Sequence, residues 1–284
     1  ENTDCRVYKD YREILEKEDA DTAILALPDH WHALIGVATI NKKIDVYGEK
    51  PLARSIVESR AIVDAAQKNN VIWQMGSWQR SVAHFHKAAV LVRNGRIGKV
   101  NFVEVGLPRG GHYIGNPPVQ PVPEGVDWDM WLGPAPKVPF RGVIHSHWRW
   151  IMDYSGGQLT DWAGHHIDIA HWGLGLDGSG PVTIEGTGRA NNDGIYNVPV
   201  VYDFTCKYAN GLEMRVVDEL HTKNKHGRGT LWKGTDGWIH VSRGGIKASD
   251  DAILKEKIGR DEVKLYKSTN HWRNFADCVK SREK

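Results

Sequence analysis

Ser155-Gly156-Gly157-Gln158-Leu159-Thr160-Asp161-Trp162-Ala163-Gly164-His165-His166-Ile167-Asp168, continuing as Ile169-Ala170-His171-Trp172, is the stretch on which the reading of this chain turns. From Thr160 to Trp172 there is no proline and only Gly164 weakens the pattern, so the spacing predicts a helix. Asp161 and His165 stand four apart and stack on one face of it. Ile167, Ala170 and Leu174 fall near a different stripe, so one face is expected to be buried while Asp161 and His165 look into a cleft. A carboxylate beside an imidazole raises its affinity for a proton and orients it, which a general base near neutral pH requires. Asp161 and His165 are therefore the candidate acid/base centre, with a surface hydrogen bond or helix cap as the plain alternative.

Upstream, strands and helices alternate. Thr22 to Leu27 is a continuous apolar run bounded by Asp21 and Pro28, which reads as a parallel strand buried on both faces. Trp31 to Asn41 follows as a helix, Ile44 to Tyr47 as a strand, Ser55 to Lys68 as a helix and Val71 to Met75 as a third strand. Such alternation builds an open parallel sheet, whose ligands bind outside the carboxyl ends of the strands. The distinctive residues lie there: Pro28 to His32, Gly48-Glu49-Lys50-Pro51, and Gly76-Ser77-Trp78-Gln79-Arg80.

Beyond Val82 to Asn94, a helix, and Val100 to Val105, a strand, the Gly- and Pro-rich run Arg109 to Pro123 is expected to be a long loop over the site. Asp127 to Leu132 reads as a short helix stopped by Gly133-Pro134. After the central helix come strands at Val182 to Thr187, Val198 to Tyr208, Leu212 to Glu219, Thr230 to Gly234 and Trp238 to Val241, with Ala209-Asn210-Gly211 as a hairpin signal, and a last helix over His271 to Lys280. This half is expected to be an open, largely antiparallel sheet with helices on one face.

The 284 residues suffice for two cores. A net charge of +2 gives no reason to expect nucleic acid or an anionic membrane as partner, and no apolar run approaches the roughly 20 residues a membrane-spanning helix needs. The three cysteines, Cys5, Cys206 and Cys278, have neither metal-ligand nor disulfide-framework spacing. Of the 12 tryptophans, Trp128, Trp131, Trp148, Trp150, Trp162 and Trp172 crowd the middle of the chain, a composition that suits sugar stacking and core packing equally. The chain opens without an initiator methionine and closes inside a helical pattern, so it reads as a fragment or a processed chain. A cytoplasmic location is expected, with the periplasm left open for the same reason.

Lys50 lies between Glu49 and Pro51 at a strand end. Proline disfavours helix for the residue before it and permits a cis bond, so the ammonium is held in a defined direction where it can hydrogen-bond a ribose or substrate hydroxyl. Together, Pro28 to His32, Glu49 to Pro51, Gly76 to Arg80, the Trp128-Asp129-Met130-Trp131-Leu132-Gly133-Pro134 box and Gly156 to Asp168 resemble the glucose-fructose oxidoreductase, inositol dehydrogenase and MocA (Gfo/Idh/MocA) family, five motifs in the family's order.

The resemblance implies an α/β plus α+β fold: a partial Rossmann-like dinucleotide-binding domain over 1–79, then a substrate-binding and oligomerisation domain over 80–284 that packs against another subunit. It implies NAD or NADP as cofactor and a sugar, glycoside or cyclitol hydroxyl as the group oxidised. By matching motifs it makes Lys50, Asp161 and His165 the catalytic residues and Pro28, His32, Glu49, Lys50 and Gln79 the cofactor contacts. Arg80, Trp148, Arg149 and His166, with Trp78, Tyr113 and Trp150 nearby, are candidates for lining the sugar site. The family's opening strand, G-x-G-x-x-G turn and helix do not occur before Glu1, and Gly173-x-Gly175-x-x-Gly178 follows a helix, so it reads as a C-cap and loop.

Three rival readings remain. The pairs His30-x-His32, His84-x-His86, His145-x-His147 and His165-His166 suggest zinc, but they lack a carboxylate ligand in register, and no metal site is expected. A glycosidase using held NAD for transient oxidation would cleave glycosides without net NADH. A sugar-binding or structural relative would bind in the Trp-rich region without turnover.

Overall fold

The computed structural model describes residues 5–111, 115–142, 147–191 and 193–283. The chain divides into two compact units, residues 1–76 with 275–284, and residues 77–274. The last ten residues, expected with the second domain, thus group with the first. Phe275 meets Tyr47 edge-on at 5.9 Å, and Arg282 donates to the Asn70 carbonyl at 2.6 Å and to Asp45 Oδ2 at 2.5 Å.

In the first unit α1 (Tyr11–Lys17) precedes β1 (Thr22–Leu25), α2 (Asp29–Asn41), β2 (Asp45–Gly48), α3 (Ile56–Asn69) and β3 (Trp73–Met75). The strands form a parallel sheet in the order β1-β2-β3. The β2 strand is buried throughout, but β1 lies at the edge with Ile24 61% exposed, so the expectation of burial on both faces fails for β1. Ser55 and Glu58 form a reciprocal capping box that fixes the start of α3. The Trp73 ring fills the space left by Gly36 and Gly48, where an added Cβ would come within 2.9 and 2.3 Å of it. The apolar centre comprises Ile40, Val46, Tyr47, Ile62 and Ile72, all buried.

In the second unit a 3₁₀ turn (Trp78–Ser81) leads to α4 (Ala83–Arg93) and β4 (Val100–Leu107), then α5 (Trp128–Leu132), a 3₁₀ turn (Trp148–Trp150) and α6 (Gly157–Leu174). Six strands follow: β5 (Thr183–Ala190), β6 (Pro199–Lys207), β7 (Glu213–Asp218), β8 (Gly229–Gly234), β9 (Trp238–Ser242) and β10 (Gly245–Ala248). The sequence gives no expectation of β10 or of α7 (Asp251–Lys255); α8 (His271–Ser281) closes the series. The sheet order is β10-β9-β8-β4-β7-β6-β5. Every pairing is antiparallel except β4 with β7, which run parallel.

One sheet face carries α4 and α6, where Val103, Val105, Leu107, Met214, Val216 and Trp232 meet Phe85, Ala88, Ile169 and Ala170 in the main core. On the other face, Glu104 of β4 and its register partner Arg215 of β7 form a buried ion pair with a contact of 2.5 Å. Residues 219–228 cover this pair: the main-chain N–H groups of Lys223 and Asn224 both donate to Glu104. Gly106 leaves room for that segment, since an added Cβ would lie 2.3 Å from the Gly227 oxygen. The hairpin expected at Ala209-Asn210-Gly211 joins β6 to β7, with Gly211 at φ +82°. Gly175, at φ +72°, caps α6 as expected of a C-cap glycine, and the Leu176 N–H bonds the His171 carbonyl at 3.0 Å.

Candidate active site

The strand ends of the first unit stand in register, with Leu25 opposite Gly48 and Gly48 opposite Met75. The main chain continues the pairing beyond the strands: the Glu49 N–H donates to Leu25 at 2.9 Å and the Gly76 N–H to Gly48 at 2.7 Å. Glu49 and Lys50 follow on this edge, both half-buried, and the Lys50-Pro51 bond is cis. A Cβ on Gly76 would lie 2.7 Å from Glu49 Oε2 and 3.1 Å from Glu49 Cα, so a larger residue there would displace the Glu49 carboxylate.

His32 has a different place from the one expected. It is 2% exposed, with Nδ1 2.7 Å from the Pro51 carbonyl and Nε2 2.9 Å from the Leu27 carbonyl. Both ring nitrogens face main-chain oxygens, so His32 ties the first two strand-end loops together and turns no polar edge outward to a cofactor. Pro28 is the N-cap of α2 and makes no side-chain cap bond. The first turn of that helix carries buried Asp29, which repels a phosphate there. Glu49 and Lys50 put a carboxylate and an ammonium on this edge, a donor and acceptor set suited to hydroxyls such as those of a dinucleotide.

In the second unit α6 is longer than the spacing predicts, and its buried stripe runs through His165, His166, Ile169, Ala170, Trp172 and Gly173. His165 therefore lies on the buried face, 4% exposed, not on an open one. Its ring meets Trp78 and Trp162 edge-on, with centroids 6.1 and 5.9 Å away. Asp161 pairs with Arg149, Nε to Oδ1 3.2 Å, and the Arg149 guanidinium lies 4.7 Å from the Trp148 ring. The neighbouring aromatics Trp128, Trp131, Trp148 and Trp150 pack with Leu132, Ile151, Tyr154 and Tyr196 in a second core, which gives them a packing role.

Gln79, expected at the cofactor, is wholly buried within the second unit. Its Nε2 donates to the His165 carbonyl at 3.3 Å and lies 3.4 Å from His166 Nδ1, while its Oε1 accepts from Arg243 Nε at 3.1 Å. His166, expected at the substrate, is 0% exposed and stacked on Trp162. Burial first, then the positive fields of His165, Arg243 and Arg228, push its pKa down to about 3. A neutral ring accepting at Nδ1 carries its hydrogen on Nε2, which has no hydrogen-bond partner among the described residues.

Arg80 likewise faces inward. It donates to Asp168 through Nε at 2.8 Å and Nη2 at 2.7 Å, and to Asp177 at 2.8 Å, with the guanidinium 5.2 Å from the Trp172 ring. Burial works against its charge, yet the bonds to Asp168 and then Asp177 outweigh this and raise its pKa. Arg80 thus anchors α6 and has no free edge for a sugar. His84 Nε2 lies 2.9 Å from the Ser242 carbonyl and His86 Nε2 3.1 Å from that of Leu265, so this pair points two ways. Among the described residues no group of three His, Cys, Asp or Glu side chains is arranged to hold a metal, and no helix is long and apolar enough to cross a membrane. Tyr113 and His145 lie outside the described residues.

Arg243 and Arg228 have no counterpart among the expected residues. The Arg243 guanidinium lies 4.8 Å from the Trp78 ring and 4.2 Å from that of Trp162, and Arg228 lies 4.8 Å from Trp162. The sequence signal for Arg243 is the Ser242-Arg243-Gly244-Gly245 turn after β9, legible only once β10 is recognised.

A parallel sheet in the first unit and a mixed sheet backed by helices in the second define a two-domain α/β and α+β architecture. Residues 1–77 match "Oxidoreductase family, NAD-binding Rossmann fold", and residues 108–284 match "Oxidoreductase family, C-terminal alpha/beta domain". The chain belongs to the Gfo/Idh/MocA oxidoreductase family. It is 28% identical over 167 residues to levoglucosan dehydrogenase of Pseudarthrobacter phenanthrenivorans, covering 58% of this chain and 36% of that protein. It is 26% identical over 156 residues to inositol 2-dehydrogenase of Salmonella typhimurium, covering 53% and 41%. These matches span well under half of either relative. The crystal structure of aldose-aldose oxidoreductase from Caulobacter crescentus complexed with glycerol shares the fold at a TM-score of 0.64 and 16% identity, over 96% of this chain and 73% of that one.

Proposed function

We propose that this protein is an NAD(P)-dependent oxidoreductase that oxidises a hydroxyl of a sugar, glycoside or cyclitol. The observation that carries the reading is that both parts of one chain match, in order, the NAD-binding and C-terminal halves of a single oxidoreductase family. The named relatives act on levoglucosan and inositol, both polyhydroxylated rings, which favours the same substrate class here.

A bound nicotinamide supplies the hydride acceptor. The chain's own residues manage the proton. His165 takes the hydroxyl proton as the carbon-bound hydrogen leaves with its electron pair and the C–O bond becomes a carbonyl. Lys50, in the Glu49-Lys50-Pro51 motif of the first unit, takes the role of a cationic hydrogen-bond donor to a hydroxyl oxygen, where it would direct that oxygen and stabilise negative charge developing on it. Glu49 holds hydroxyls of the cofactor. Asp161, paired with Arg149, offers a carboxylate edge for a neighbouring substrate hydroxyl beside the Trp148 ring. Gln79, Arg80 and His166 keep α6 in place.

The exposed apolar residues Val182 and Ile184, at and beside the β5 edge, support a homo-oligomer formed through this sheet. The free thiols Cys5, Cys206 and Cys278 suit the reducing cytoplasm. The direct test incubates the protein with NAD⁺ or NADP⁺ and either levoglucosan or myo-inositol and follows absorbance of the reduced nicotinamide. Accumulation supports oxidation. Cleavage of an aryl glycoside without accumulation identifies the redox-assisted hydrolase, and tight sugar binding with neither outcome identifies a non-catalytic relative.

A further inference from the structure

Three guanidinium groups of the second unit, Arg149, Arg228 and Arg243, lie against the rings of Trp148, Trp162 and Trp78. Arg228 is engaged by Glu219 through two contacts of 2.9 and 3.0 Å, and Arg149 pairs with Asp161. Arg243 has no carboxylate within ion-pair distance among the described residues; its hydrogen bond is the neutral one from Nε to Gln79. Arg243 is exposed, yet it is tethered. Two indoles flank it, at 4.8 and 4.2 Å, and the amide that holds its Nε is itself wholly buried. With Nε fixed and the plane fixed by Trp78 and Trp162, the remaining edge of the guanidinium keeps a set direction at little entropic cost on binding.

The same two indoles flank His165. A ligand that brings a hydroxyl to that imidazole therefore meets the two indoles against which Arg243 also packs. We infer that Arg243 is a specificity-determining residue that selects a sugar bearing an anionic oxygen group, a carboxylate or a phosphoryl, over a neutral one. A guanidinium edge meets either group with two parallel charge-assisted bonds. Burial, followed by the like charge of Arg228, lowers the Arg243 pKa, so an incoming anion relieves a repulsion already present. Of the nearby charges, Asp161 opposes an anion, but its carboxylate is already engaged by Arg149.

The inference rests on the proposed carbohydrate reading, and the experiment separates the two. Isothermal titration of the whole protein with D-glucuronate, D-glucose 6-phosphate and D-glucose, for wild type, Arg243→Gln and Arg243→Lys, gives the selectivity. The same samples are assayed for reduced nicotinamide with each sugar. The expected result is an anionic sugar bound at least about 10-fold more tightly than glucose, with that advantage falling about 10- to 100-fold in Arg243→Gln and partly kept in Arg243→Lys. Whether glucuronate or the phosphate ester shows it decides between carboxylate and phosphoryl. Equal binding of all three sugars, binding of none, or an advantage that survives Arg243→Gln overturns the inference. Arg243-dependent binding without any nicotinamide-linked turnover upholds the inference and overturns the oxidoreductase reading. Circular dichroism and urea melting of each variant check folding, and a folded Arg243→Lys alone suffices for the comparison.

Discussion

The Gln79 carboxamide donates to the main-chain carbonyl of His165 at 3.3 Å, linking the turn before α4 to the middle of α6. Its other end accepts from Arg243, so one buried amide fixes both the helix turn that presents the imidazole and the plane of the guanidinium. Gln79→Ala removes both bonds and leaves buried groups unsatisfied. A loss of about 1 to 3 kcal/mol in urea unfolding at pH 7 is expected. Unchanged stability would show that water takes over the lost bonds.

Arg80 spans two carboxylates, Asp168 and Asp177, and lies over Trp172. Removing one partner of such a pair costs more than the pair contributes, because a charge is left behind. The Arg80 and Asp168 side chains stay 29% and 22% exposed, so water softens the loss. Arg80→Ala should cost about 2 to 3 kcal/mol, scaled down from the fully buried case. Arg80→Lys should recover little of this, since a single ammonium cannot reproduce the forked geometry. Full recovery by lysine in a thermal melt would count against the forked contact.

His165→Ala tests the proposed proton acceptor. Turnover should fall by about 10²- to 10⁴-fold, the range of a general base. Dinucleotide affinity, read by fluorescence titration, should stay within a few-fold. Lys50→Met should depress turnover as well and, unlike the histidine variant, also weaken dinucleotide binding. A variant lacking the imidazole that turns over at the wild-type rate removes His165 from the reaction.

Much of this architecture is legible in the sequence. Apolar runs bounded by Pro28 or Gly76 mark parallel strands, and Asn210-Gly211 marks the hairpin between β6 and β7, because these signals are local. The stripe buried by α6 is less legible, since Ile167 and Leu174 are as apolar as Ile169 and only the neighbouring strand decides which is covered. The roles of His32, Gln79, Arg80 and His166 are hidden for a related reason. Motif position places a side chain near a site, but whether it turns toward a ligand or toward the Leu27 carbonyl, Arg243 or Asp168 depends on partners far away in the sequence. Arg243 escapes notice because a short polar turn before β10 carries no periodicity.

His166 makes stability depend on pH. In the unfolded chain its imidazole titrates near 6.5, whereas burial holds the folded value at about 3. Between these values the unfolded state binds a proton that the folded state does not, so stability falls as pH drops from about 6.5 toward 3. The full span is worth on the order of several kcal/mol. Urea midpoints at pH 7 and pH 4.5 should differ markedly in wild type. His166→Asn should be less stable at pH 7 but lose less on acidification, and an identical slope in both proteins would assign the acid sensitivity elsewhere.

Glu104 and Arg215 carry a buried ion pair at the centre of the mixed sheet, their side chains 1% and 10% exposed. Asp203 also accepts from Arg215, and this bond draws its carboxyl below the usual range. Because Glu104 additionally holds the main-chain N–H groups of Lys223 and Asn224, Glu104→Ala removes the buried one of the two carboxylates on Arg215, leaves Nη1 without its acceptor while Asp203 keeps the other edge, and releases the segment over that face. A loss of about 3 to 5 kcal/mol is expected. The double variant Glu104→Leu/Arg215→Met leaves no buried charge, and Asp203, 47% exposed, can be hydrated once Arg215 is gone, so the loss should be smaller than that of Glu104→Ala alone. Hydrogen exchange distinguishes the two contributions: if Glu104 pins the covering segment, residues 222–228 exchange faster in both variants, whereas the sheet itself is weakened chiefly in the single one. Slow exchange of that segment in the double variant would mean that Gly106 and its packing hold it without the carboxylate.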